Sequence, residues 1–91
     1  MSTAVREVPV VNEQGGHARP SHAIVECAGR FDAVVSLIHD DRRADARSIL
    51  SVMTLGAVRG AHIRIEAAGA QAEEAAAALA ELFAGGFAEM E

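Results

Sequence analysis

Tryptophan and tyrosine are absent from these 91 residues and phenylalanine occurs three times, so any interior must be packed from small aliphatic side chains. Cys27 is the single cysteine, which excludes an internal disulfide framework and points to a reducing compartment. Its apolar neighbourhood predicts a buried structural thiol. No apolar stretch reaches the roughly 18 residues that a membrane span needs. The opening "MSTAVREVPV" lacks the charged start and hydrophobic centre of a secretory signal. These absences together predict a cytoplasmic protein without a membrane segment.

Positive charge is also scarce. Eight arginines stand against thirteen acids, for a net charge of -5. All eight arginines and seven of the acids lie at or before Arg64, whereas the stretch from Glu66 onward holds six acids and no base. A nucleic-acid reader needs a basic patch with aromatic or polar base contacts, and the sequence offers neither. The chain is long enough for one core and too short for two, so residues 1–91 are expected to form a single domain.

Helical and strand patterns alternate along it. "VREVPVV" (Val5 to Val11) places Val8 and Val10 on one face of a short strand, and Pro9, which has no amide hydrogen, assigns that strand to a sheet edge. After the turn-like "NEQGG", a helix of about three turns is expected to run to Gly29, with Pro20 in the first turn, where amide hydrogens have no helical partner. "DAVVSLIHD" reads as a second strand and "DRRADA" as a turn with a short third one. "SILSVMTLG" carries Ser48 as an N-cap and Gly56 as a stop for a short helix. In "HIRIEAA", Ile63, Ile65 and Ala67 alternate with His62, Arg64 and Glu66, so one face of the sheet is wet. "QAEEAAAALAELFAGG" is a strong helix former without a capping Ser, Thr, Asp or Asn, a deficit of about 1 kcal/mol that Glu73 and Glu74 near its positive end partly offset. The order βαββαβα predicts an α+β open-faced sandwich, with helices on one face of an antiparallel sheet.

Chemistry concentrates in "GGHARP", from Gly15 to Pro20. His17 immediately precedes a predicted helix whose free amide hydrogens favour a bound anion. Arg19 supplies a planar, permanently charged fork suited to phosphate oxygens. A neutral imidazole is a competent nucleophile at cytoplasmic pH. Spacing alone leaves two readings open: a phosphoryl acceptor, or a polar loop histidine that does no more than cap the helix. His22, His39 and His62 show no zinc-site spacing with His17. No second acid or base pairs with His17 and no nucleotide loop is present, so neither a metal, a cofactor nor stand-alone catalysis is expected.

"GGHARP" resembles the active-site motif of HPr, the histidine-containing phosphocarrier family of the bacterial phosphoenolpyruvate:sugar phosphotransferase system (PTS), in which the pattern is Gly-Leu/Ile-His-Ala-Arg-Pro. "ARSILSVMTLGAVRGAHIRIEAAG" is similar to the family's second signature, about thirty residues further on, and the likeness covers nearly the whole chain. The resemblance implies a four-stranded antiparallel sheet in the order first, fourth, second, third, with three helices on one face. It implies that His17 accepts a phosphoryl group on Nδ1 from phospho-Enzyme I and passes it to IIA proteins or domains, assisted by Arg19. Ser48 corresponds to the serine phosphorylated by HPr kinase/phosphorylase where that enzyme exists, and Ile49, Leu50 and Met53 to the exposed apolar docking positions, with Val52 and Leu55 expected in the core. A transient docking partner of this kind is expected to be a monomer. A regulatory carrier of the nitrogen-type or permease-less branch, or an idle docking module, are the alternatives. Gly16 departs from the family's Leu or Ile, removing an apolar anchor beside His17. "GAQAEE" departs where the family often has an aspartate cap.

Overall fold

The computed structural model describes residues 2–11, 18–55 and 60–86, with the backbone alone at 18 and 19. The element order is β1 (Ser2–Pro9), α1 (Ala18–Ala28), β2 (Val34–His39), β3 (Arg42–Asp45), α2 (Ile49–Met53), β4 (His62–Gly69) and α3 (Ala72–Ala84). The strands form one antiparallel sheet in the order β1-β4-β2-β3. Three helices and this sheet make the open-faced sandwich expected from the alternation of patterns.

β4 is the central organiser because its two faces differ chemically. Ile63, Ile65 and Ala67 are buried on the helix side, while His62 and Arg64 are exposed on the other. β1 is an outer strand, as its proline requires, and Pro9 lies opposite His62 without having to donate a hydrogen bond into the sheet. β1 begins at Ser2, three residues before the expected Val5, because the eight residues of β4 supply partners as far as Gly69, opposite Ser2. Val10 still belongs to the pairing beyond the strand: its amide donates to Ala61 at 2.8 Å, and its carbonyl accepts from Gly60 at 2.9 Å.

Buried residues from every layer form one apolar cluster, including Val8 and Val35 of the sheet, Ile24 and Cys27 of α1, Val52 of α2 and Leu79 of α3. Each fully buried Val, Leu or Ile stabilises the fold by about 1.5–3 kcal/mol before the entropic cost of ordering it. α3 packs on β1, β4 and β2, burying Ala72, Ala75, Ala76, Leu79 and Phe83. Its N-cap, Gln71, makes no capping bond with its side chain. That side chain serves elsewhere: Gln71 Oε1 accepts from the Asp32 amide at 2.8 Å, and the Gln71 amide donates to the Asp32 carbonyl at 2.9 Å. This reciprocal pair ties the approach to β2 onto the start of α3. Gly69 makes the approach possible, since at φ 137 a Cβ would come within 2.9 Å of Ala33 Cα and of the Asp32 carbonyl oxygen.

Candidate functional site

α1 begins at Ala18, so the helix starts at the residue after His17. His17 itself, with Gly15 and Gly16, lies outside the described residues, and Arg19 is placed by its backbone as the second residue of α1. Pro20 sits within the first turn, where its missing amide hydrogen leaves no helical bond unmade. Pro20 and the neighbouring Ser21 are fully buried, so the first turn is anchored in the interior by packing. No acidic residue occupies that turn. The positive dipole end of the helix is therefore not already met by a carboxylate on the same turn. Such an arrangement suits an anion held beside the helix start.

α2 packs against α1 and β3. Ser48 caps it in extended conformation (φ -119, ψ 112), its Oγ accepting from the Ser51 amide at 3.3 Å. A serine cap of this kind stabilises a helix by about 1 kcal/mol. The Ser48 amide donates to the Asp45 carbonyl at 3.0 Å and the Arg47 amide to Asp45 Oδ1 at 2.9 Å, so the entry to the helix is pinned on both sides. The helix ends at Met53 with Thr54 as C-cap; Gly56, the expected stop, lies outside the described residues.

The short helix presents two apolar faces. Val52 and the following Leu55 are buried, whereas Leu50 is 76% exposed and Met53 40%. Ile49 is half-buried between them. An isolated exposed leucine needs no explanation, but a leucine and a methionine on consecutive turns of a five-residue helix make a contiguous apolar spot. Methionine suits a surface that receives differently shaped partners.

The arginines preceding α2 are more engaged than solvated charges would be. Arg43 reaches Glu66 Oε1 at 3.1 Å, and Arg64 reaches Glu66 Oε2 at 2.9 Å, on the open face of the sheet. Arg42 donates to the Thr54 carbonyl at 3.1 Å. His39 brings Nδ1 within 3.0 Å of the Leu55 carbonyl oxygen. Nothing in the sequence pattern assigns His39 or Arg42 a contact at the end of α2. Their partners lie 16 and 12 residues away, and no local pattern marks such a pair.

His22 lies near Glu26 on α1, 3.8 Å away and exposed. Among the described residues no three His, Cys, Asp or Glu side chains converge as metal ligands, and no helix is long and apolar enough to cross a membrane. The Cys27 thiol is buried on α1, and burial raises its pKa above the ordinary 9.0 against a smaller opposing pull from Arg30. A protonated, enclosed thiol is a poor nucleophile.

Comparison with known proteins places these features in a common setting. A family model described as the PTS HPr component phosphorylation site matches residues 4–85. The chain is 40% identical over 86 residues to phosphocarrier protein NPr of Escherichia coli K12, covering 93% of this chain and 96% of that one. It is 38% identical over 85 residues to phosphocarrier protein HPr of Treponema pallidum, covering 93% and 97%. The crystal structure of HPr from Thermoanaerobacter tengcongensis superposes over the whole of both chains with a TM-score of 0.88 at 31% identity.

Proposed function

Because this chain belongs to the HPr family of PTS phosphocarrier proteins, we propose that His17 is its phosphoryl acceptor and that Arg19 stabilises the group in transit. The observation that carries this reading is the match across residues 4–85, which includes the His-Ala-Arg-Pro motif at the start of α1. The Nδ1 lone pair of neutral His17 attacks phosphorus, a P–N bond forms, and the bond from phosphorus to the donor protein breaks with its electron pair leaving on the donor. The second transfer runs the same way with His17 as leaving group. The helix start and the Arg19 guanidinium supply the positive field that a phosphoryl group needs at both stages. Nothing else is required of a carrier, since donor and acceptor proteins bring the remaining chemistry.

Enzyme I, charged by phosphoenolpyruvate, is the proposed donor, and IIA proteins or domains are the proposed acceptors, all meeting this chain in the cytoplasm. Leu50 and Met53, with Ile49 at their margin, form the proposed docking spot, and residues 1–91 act as one HPr-like domain. Ser48 is proposed as a regulatory phosphorylation site for HPr kinase/phosphorylase. A phosphate there would place about -1.5 to -2 charges beside the apolar spot, and a partner that buries Leu50 would have to desolvate that charge. The likeness to NPr favours a second reading, in which the phosphorylation state is read by regulators of the nitrogen-type branch and not spent on sugar uptake.

Incubation with phosphoenolpyruvate and purified Enzyme I, followed by intact-mass measurement, tests the carrier reading. Gain of one acid-labile phosphoryl group, absent in His17→Ala, is the expected outcome. No gain with cognate Enzyme I, of either the sugar or the nitrogen type, overturns it.

A further inference from the structure

The end of α2 is held by side chains from a different element. His39 is the last residue of β2 and Arg42 the first of β3, and the two face each other across the hairpin. Between them runs a two-residue turn in which Asp40 adopts φ 56, a left-handed conformation that aspartate tolerates better than most residues. His39 contacts the Leu55 carbonyl oxygen through Nδ1 at 3.0 Å, and Arg42 donates to the Thr54 carbonyl oxygen at 3.1 Å. A carbonyl can only accept, so Nδ1 of His39 carries the hydrogen. The Asp40 carboxylate lies 3.6 Å from Nε2 at the other edge of the ring.

The last carbonyls of any helix lack intrahelical partners, and in a five-residue helix these orphan groups weigh heavily against the few bonds formed. Here consecutive carbonyls just past the last turn are each met by a side chain of the hairpin. The same segment is hydrogen-bonded to the turn that bears the exposed apolar residues: the Thr54 amide donates to the Leu50 carbonyl at 3.1 Å, and the Leu55 amide to the carbonyl of buried Val52 at 3.2 Å. A shift of Thr54 and Leu55 therefore passes directly to the turn that bears Leu50 and Met53.

We infer that His39, seconded by Arg42, is a positioning residue that clasps the C-terminal end of α2 so that Leu50 and Met53 meet a phosphoryl-donor protein in one fixed geometry. The inference rests on the carrier reading above. The clasp sets how well the carrier docks and leaves the chemistry on His17 untouched. Arg42 is exposed and can touch a partner directly, whereas His39 is half-buried, which makes His39 the cleaner probe.

The test compares the full chain with its His39→Ala and His39→Asn variants by amide hydrogen exchange and by steady-state phosphorylation with phosphoenolpyruvate and Enzyme I. His39→Ala is expected to speed exchange at Thr54 and Leu55 and to raise the KM for the carrier roughly threefold to tenfold, at unchanged kcat. Asparagine places an amide N–H close to the Nδ1 position and is expected to restore both. Unchanged KM in His39→Ala, a fall in kcat alone, or an asparagine variant no better than alanine overturns the inference. Should His39→Ala not fold, Arg42→Ala removes the other half of the clasp and is read by the same exchange at Leu55 and Thr54. A wild-type chain that accepts no phosphoryl group sinks the carrier reading, and with it the docking role. Exchange at Thr54 and Leu55 then still judges the clasp itself, which unchanged rates in His39→Ala would refute.

Discussion

α3 and α2 lie on the same side of one sheet and are built on opposite terms. α3 has thirteen residues, packs on three strands and buries five side chains, with Leu79 wholly enclosed. α2 has five residues, buries only Val52 within its span, and turns Leu50 and Met53 outward. A helix of α2's length is not stable by propensity, so it depends on its packing against α1 and β3, with a serine cap at one end and the His39 and Arg42 contacts at the other. The contrast separates two demands on a small protein. The α3 side concentrates apolar burial and hence stability; the α2 side leaves Leu50 and Met53 uncovered, as the proposed docking role requires.

The largest loss is expected from a cut into the sealed α3 side. Leu79→Ala is expected to lower stability by about 2–5 kcal/mol in urea unfolding, while phosphorylation well below the midpoint stays at the wild-type level. A loss under about 1 kcal/mol would show that α3 is not the anchor.

The boundary between the two sides can be probed through Cys27 of α1. This sequence has no lysine and no tyrosine, and arginine stays charged to pH 12 and beyond, so the thiol is the only side chain that ionises between about pH 9 and 11. Its folded pKa is raised above 9.0, first by burial. The folded state therefore holds the proton more tightly than the unfolded state. The associated stability is complete below the unfolded value near 9.0 and is lost as pH rises through the raised folded value. Urea unfolding at about pH 8 and about pH 10.5 should show a decline for the wild type that is flattened in Cys27→Ala. An equal decline in both would mean that the thiol is not enclosed between α1 and its neighbours.

The smallest stability change is expected on the open side. Leu50→Ala should leave unfolding within about 0.5 kcal/mol of the wild type, yet raise the KM for phosphorylation by Enzyme I about fivefold or more if Leu50 is an anchor of the interface. Equal KM values would remove Leu50 from the docking spot.

Much of the fold was legible residue by residue. The alternation in β4, the edge placement of Pro9, the unassisted N-cap of α3 and the capping role of Ser48 are written in periods of two or in spacings of three, which contiguous residues express whatever surrounds them. The start of β1 was not legible, since Thr3 is the lone strand former among Ser2, Thr3 and Ala4, and these residues pair because β4 extends to Gly69. Gln71 read as a missing cap and instead proved to be a tether to Asp32.

For the candidate site the division is similar. His17 and Arg19 stand two positions apart before a helical pattern, and Pro20 announces the first turn, so local chemistry and family likeness sufficed to choose them. Exposure of Leu50 beside burial of Val52 follows from which side of a short helix faces α1 and β3, and the roles of His39 and Arg42 depend on a hairpin folding back onto carbonyls 16 and 12 residues downstream. Periodicity, capping chemistry and the His-Ala-Arg-Pro motif are properties of neighbouring residues, and the chain alone carried them. Which surfaces remain uncovered, and which side chains complete the end of a helix too short to stand by itself, depend on distances between remote segments, and packing of the sheet and helices decided those.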